Sequence, residues 1–241
     1  MSTRRVSATA MTLLTSLLAA VFAGCGGGSA SSSASGNGIA EKSPSEMLSA
    51  AKSAAEAASS VHVSGSIVNA GSSITLDMNL LAGKGGRGKL SEDGLSFELI
   101  ELGSTVYIKG SPAFYKHIGG GAAAQLFQGK WLKASAGDSD FASLGQITDM
   151  RQLLDQTITN HGVSLTKLGS STVAGQKVIG IADASDHGAL YIAATGKPYP
   201  IQVSKSGSGS GKITFDRWNE AVELAAPANA IDVAQLQHAG H

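Results

Sequence analysis

From Val61 onward the hydrophobic positions of this chain recur every second residue. Val61, Val63 and Ile67 alternate with His62, Ser64 and Ser66; Ile74, Leu76, Met78 and Leu80 alternate with Thr75, Asp77 and Asn79. Such alternation puts apolar side chains on one face of a strand and polar ones on the other. Turn-forming residues fall between the runs: Gly71 and Ser72, the glycines within 83–86, Asp93 with Gly94, and Gly103. Pairs of this type close hairpins. The pattern therefore predicts a meander of five antiparallel strands near 61–67, 74–80, 88–92, 95–102 and 105–109. The same period returns at 163–168, 176–182, 189–194, 201–206, 212–218 and 221–224, again with Gly, Asp, Pro or Ser between the runs.

Helical spacing appears in two places. Ser43, Pro44 and Glu46 form an N-terminal capping box with proline at the first helical position. Behind them Met47, Leu48, Ala51, Ala54, Ala55 and Ala58 make a narrow stripe of small side chains, suited to close approach on a sheet. The middle is less regular. Ser111 and Pro112 open a short helix carrying Phe114 and Tyr115, the three glycines 119–121 interrupt it, and 122–128 forms a second piece. A strand is predicted at 129–133. Asp138 caps a helix running through Phe141 and Leu144, and 149–157 forms a further helix. The sum is an α+β fold: a large antiparallel sheet of about eleven strands with helices against one face.

The N-terminus changes the picture from fold to location. Arg4 and Arg5 precede an apolar run of 13 residues, Met11 to Ala23, which leads to Cys25. That run is short of the roughly 20 residues a spanning helix needs, and it has the layout of a secretory signal over residues 1–24. Phe22, Ala23, Gly24 and Cys25 resemble the lipobox of bacterial lipoproteins, with Phe22 where leucine is usual. The resemblance implies cleavage before Cys25, a diacylglyceryl group on its sulfur and, as a further step, an acyl group on its new N-terminus. It places the protein at the outer leaflet of the bacterial cell membrane, with the domain facing the cell wall or periplasm. A plain secreted protein cut at another small-residue site is the alternative. Residues 26–42 are rich in Gly, Ser and Ala and read as a flexible tether with a reach of about 20–25 Å. A folded domain at 43–234 and a frayed tail at 235–241 follow.

Charge narrows the partners. The chain carries 18 basic and 18 acidic residues; without Arg4 and Arg5 the remainder stands at about −2, which gives no electrostatic case for nucleic acid. Cys25 is the single cysteine, so no disulfide supports the domain and burial alone must hold it. The sequence shows no internal repeat.

Catalytic patterns are weak. Of six histidines, only His238 and His241 have metal-like spacing, and no carboxylate or cysteine joins them. Ser-x-x-Lys occurs at Ser49 to Lys52 and at Ser164 to Lys167 without supporting motifs, and there is no Gly-x-Ser-x-Gly elbow. The Gly/Ser run at 206–211 precedes a strand, unlike a phosphate loop. No catalytic residue, metal or cofactor is expected, apart from the lipid on Cys25.

The stretch 188–203, with Thr195-Gly-Lys-Pro between two strands, resembles the LolA-like carriers and the LprG and LppX branch of actinobacterial lipoproteins. Supporting stretches are 60–65, 97–100 with 106–109, 129–132 and 213–219, which together span most of 44–232. The resemblance implies a U-shaped half-barrel with helices on its concave face and an apolar cavity between them that takes acyl chains. Candidate liners are Leu76, Met78, Leu80, Phe97, Leu99, Val106, Ile108, Phe114, Leu126, Phe127, Leu153, Leu154 and Ile192. The segment 111–157 is the expected lid. On this reading a monomer binds, and carries, lipid beside the bilayer, with an export or acceptor protein as a further partner. The rival is a non-catalytic cell-surface structural or protein-interaction module with a filled core.

Overall fold

The computed structural model describes residues 36–69, 71–138, 142–159, 164–185, 187–207 and 209–235. The signal segment, the lipobox residues Phe22, Ala23, Gly24 and Cys25, the first part of the tether, and His238 and His241 all lie outside the described residues.

The expected meander is β1 (Ser60–Asn69), β2 (Ser72–Leu81), β3 (Gly85–Glu92), β4 (Leu95–Leu102) and β5 (Thr105–Gly110). A short strand β6 (Leu132–Ser135) pairs with β5. A second meander follows: β7 (Leu165–Val173), β8 (Gln176–Asp183), β9 (Gly188–Ala193), β10 (Pro200–Lys205) and β11 (Gly211–Asp216). Antiparallel pairing of β1 with β11 joins the two halves into one open sheet. Its order is β12-β6-β5-β4-β3-β2-β1-β11-β10-β9-β8-β7, twelve strands in all. The edge strand β12 (Ile231–Asp232), near the end of the expected domain and not expected as a strand, lies parallel to β6. Residues 221–224, expected as a strand, pair with no neighbour; the Glu223 carbonyl instead accepts from Arg87 at 3.3 Å.

One face of the sheet is covered by helices. Helix α1 (Pro44–Glu56) starts at the expected capping box: the Glu46 carboxylate accepts from the Ser43 backbone N–H at 2.8 Å, and the Ser43 hydroxyl accepts from Glu46 N. Its stripe Met47, Ala51 and Ala55 is fully buried. Helix α2 (Pro112–Phe127) packs on β4 and β5. Helices α3 (Ala142–Thr148) and α4 (Met150–Thr159) lie in series, and the Asp149 carboxylate caps α4 through the backbone N–H groups of Arg151 and Gln152. A single apolar core unites inward residues from both meanders with Met47 and Ala51 of α1 and with Met150, Leu154 and Ile158 of α4. Lys52 of α1 and Asp155 of α4 meet at 2.6 Å, and this bond raises the Lys52 pKa.

Residues 36–42, expected in the flexible tether, are packed on the domain. Gly36 bridges to Thr195, and Asn37 donates its side-chain amide to the carbonyls of Ala193 and Gly196 at 2.9 and 3.1 Å. Ile39 is 1% exposed, and the Lys167 ammonium donates to the Ala40 carbonyl at 2.7 Å. Burying one isoleucine contributes about 1.5–3 kcal/mol, which together with these hydrogen bonds offsets the cost of ordering a segment whose composition alone reads as coil.

The joint between the halves carries a polar clamp on the outer face. His62 of β1 is 7% exposed. Its Nδ1 lies 2.6 Å from Asp216 of β11 and its Nε2 lies 3.0 Å from Asp77 of β2. One imidazole thus ties three central strands. On the inner face, Glu101 ends the apolar row of β4 and accepts from the Thr148 hydroxyl of α3. Burial raises the Glu101 pKa above its ordinary value of 4.5; the Thr148 bond opposes this and nearby Asp149 adds to it.

Two outcomes are expected. His62→Ala lowers stability by about 1–3 kcal/mol in chemical denaturation, the cost of losing partners in a buried polar group. For Glu101 the folded state holds its proton more tightly than the unfolded chain. Its contribution is therefore present below the ordinary carboxyl value and is lost as pH rises through the raised folded value. Glu101→Gln keeps an acceptor for Thr148 and removes that loss. Its thermal stability relative to wild type rises between pH 4.5 and neutrality; an unchanged difference across that window contradicts the assignment.

Candidate functional site

An apolar groove lies between α4 and the centre of the sheet. Strand β1 contributes Val63 and Ile67, β2 Leu76, β10 Val203, and β11 Ile213; Leu153 of α4 closes it from above. Gln156, Thr157 and Lys205 are the polar residues of its lining, with Gly209 and Gly211 beside them. Its volume is about 310 Å³, at the small end of ligand sites, which run from about 300 to 1,000 Å³.

The groove exists because two inward positions carry no side chain. Alternation along β1 puts Val61, Val63, Gly65 and Ile67 in one inward row. Gly65 sits opposite Leu76 on one side and Ile213 on the other. A Cβ at Gly65 would stand 2.0 Å from the Lys212 carbonyl oxygen, so the strands' close approach requires glycine there. Gly211, opposite Ile67, is a second gap in the same floor. Helix α4 cannot fill them: it meets the sheet through Leu153 and Leu154, and its next turn presents Gln156 and Thr157. The Thr157 hydroxyl is turned back to the Leu153 carbonyl at 2.7 Å.

The thirteen candidate liners fall into separate places. Leu76 and Leu153 line the groove. Met78, Leu80, Leu99, Val106, Ile108, Leu154 and Ile192 are buried in the core. Phe97 and Phe114 pack against each other with ring centroids 5.1 Å apart, and Phe127 packs on Tyr115 at 5.7 Å. Leu126 is 52% exposed. Helix α2, within the expected lid, supplies no lining residue; α4 is the element over the groove. Val63, Ile67, Val203 and Ile213 were missed. They follow the same two-residue period as the chosen residues, but they meet only through β1–β11 pairing, which joins residues about 150 positions apart in sequence.

A second, more polar groove of about 570 Å³ runs between α1 and α4, lined by Lys52, Glu56, Arg151, Gln152 and Asp155 with Ala55, Leu154 and Ile158. The Lys52–Asp155 pair spans it, so its charges hold the two helices together. Lys52 and Lys167, the lysines of the two Ser-x-x-Lys matches, both serve such contacts. Among the described residues no three His, Cys, Asp or Glu side chains converge as a metal site. The His62 cluster lies on the outer face, away from the groove, with each ring nitrogen against a carboxylate. The chemistry the apolar groove offers is burial of an aliphatic chain beside three polar side chains, Gln156, Thr157 and Lys205.

No protein-family model and no curated protein sequence matches the chain. Solved structures do. LprF from Mycobacterium bovis superimposes with a TM-score of 0.54 at 16% identity, covering 78% of this chain and 99% of LprF. The Mycobacterium tuberculosis lipoprotein LppX does so with a TM-score of 0.50 at 18% identity, covering 76% of this chain and 100% of LppX. Most of this chain thus adopts the fold of LprF and of the lipoprotein LppX, a large open antiparallel sheet with helices on one face, as the resemblance to the LppX branch implied.

Proposed function

We propose that this chain is a membrane-anchored envelope lipoprotein, not an enzyme, that binds an aliphatic chain in the groove under α4 and passes it on. The observation that carries this reading is the floor at the β1–β11 joint: five apolar side chains and two glycines beneath one amphipathic helix, which adds Leu153 from above. Transfer of each methylene from water into such a groove contributes about 0.8 kcal/mol. A bilayer interior is as apolar as the groove, so exchange with a membrane is nearly balanced and binding is reversible. That is what a carrier needs. Gln156, Thr157 and Lys205, the polar residues of the lining, then take the head of an amphiphile.

The anchor supports the same reading. A protein that exchanges water-insoluble cargo with a bilayer gains from being held beside it, and acylated Cys25 would do so. The likeness in fold to LppX, a lipoprotein, supports the anchor half of the proposal. The rival reading, a surface module with a filled core, is favoured by one observation: Met78, Leu80, Leu99, Val106 and Ile108 are buried in the core, which leaves the apolar cargo space to the region beneath α4.

Two measurements separate anchor from cargo. Metabolic labelling with an alkynyl fatty acid should tag the wild-type chain and not Cys25→Ser; equal labelling removes the anchor. Native mass spectrometry of the full chain from its own host should show bound lipid, and a fluorescent fatty acid should bind the delipidated protein. Leu76→Trp and Val203→Trp, which fill the groove, should weaken uptake about tenfold, equivalent to about 1.4 kcal/mol. A clean apo mass with no probe uptake, or uptake unchanged in both variants, overturns the cargo site.

A further inference from the structure

Helix α2 doubles back on itself. Gly119 (φ −146°, ψ 15°) and Gly120 (φ 73°, ψ −168°) are non-helical, and the left-handed φ of Gly120 is one that side-chain-bearing residues rarely adopt. In a straight helix the twelve residues from Tyr115 to Phe127 would span about 18 Å, yet their rings are 5.7 Å apart. The Tyr115 hydroxyl also receives the Gly110 N–H at 2.8 Å and donates to the Lys130 carbonyl at 3.2 Å. These contacts clamp the base of a helical hairpin whose tip is the glycine turn.

The exposed residues at the tip of this hairpin, from Ile118 to Leu126, are apolar apart from Gln125. Residues 116–122 are all exposed, Ile118 by 59%, and Leu126 on the return arm by 52%. From Ile118 to Gly129 the sequence carries no charge, only Ile, Gly, Ala, Gln, Leu and Phe, while Lys116 and His117 precede this run and Lys130 follows it. A helix apolar all round is normally buried in protein or in lipid. The exposed tip of α2 is buried in neither among the described residues. Small residues without charge, bracketed by lysines and no acid, fit the boundary of an anionic bilayer, where apolar groups enter the acyl region and ammonium groups meet the headgroups.

We propose that the glycine-tipped hairpin of α2 inserts into the surface of an anionic membrane. Ile118, Ala122 and Leu126 form the inserting wedge, and Lys116 and Lys130 meet the lipid headgroups. The wedge stands apart from the groove, to which α2 contributes no residue, and does not depend on what the groove holds.

The test uses the full chain with Cys25→Ser, which leaves no other thiol, carrying Ile118→Cys, Leu126→Cys or, as control on the outer face of β3, Lys89→Cys. Each variant is labelled with an environment-sensitive dye and mixed with vesicles of brominated phosphatidylglycerol or brominated phosphatidylcholine. The dyes at 118 and 126 shift to the blue and are quenched by the brominated chains, while the dye at 89 is not. Binding of the tip is about fivefold stronger on the anionic vesicles for each lysine engaged. Equal behaviour at all three positions overturns the wedge. So does a blue shift without vesicles that grows with protein concentration, because a second copy then covers the tip. Equal quenching in both lipids overturns the role of the lysines. Since Ile118 and Leu126 are exposed, Ile118→Asp with Leu126→Asp keeps the fold, checked by thermal melting, and abolishes the tip's share of vesicle binding.

Discussion

The pairing of β1 with β11 is the contact on which the rest of this structure depends. Each meander closes through short hairpins and is local in sequence, but the ladder from His62–Asp216 to Ile67–Gly211 joins positions about 150 residues apart. Such closure is entropically costly and is rewarded only when many contacts form together. Here the reward comes from both faces. Inside, Val61, Val63, Ile213 and Phe215 enter the core shared with α1 and α4. Outside, His62 bridges Asp77 and Asp216. Without this joint the sheet is two separate halves, and neither α1 nor α4 has a continuous surface to cover.

The apolar groove is a by-product of the same joint. Bringing β1 and β11 close enough to pair demands glycine at 65, because a side chain there meets the Lys212 carbonyl. The constraint that permits pairing therefore removes volume from the inner face at that point. Helix α4 bridges the deficit without filling it. Structure and cavity share one cause, so enlarging residue 65 to close the groove would break the ladder before it changed any ligand.

Local chemistry made much of the fold readable. The two-residue period located both meanders, the Ser43–Glu46 box started α1 where expected, and the helix expected at 149–157 is α4. Non-local pairing was not readable. Strand β12 has two residues and no pattern of its own; it exists because the β6 edge accepts it in parallel. Residues 221–224 alternate like a strand but pair with no neighbouring strand. Segment 36–42 looked like coil because its composition is polar, and its order comes from Asn37 reading carbonyls of the β9–β10 turn. The candidate site suffered most. Leu76 and Leu153 reach the groove, while seven chosen residues are core, since an inward strand position shows which face it takes and not whether a helix seals it.

The docked segment 36–42 also has a mechanical meaning. Tension on the chain from its N-terminal side reaches the domain at Gly36, beside Thr195, at the end of β10 opposite Lys205 and the glycine-rich rim of the groove. The load falls first on one bridge, on the two amide bonds of Asn37, and on Ile39 in its socket. These contacts are few and act nearly one after another, so they peel rather than shear. They would yield ahead of α1, so that a pull from that side draws out 36–42 before it loads the sheet, its joint or the space under α4.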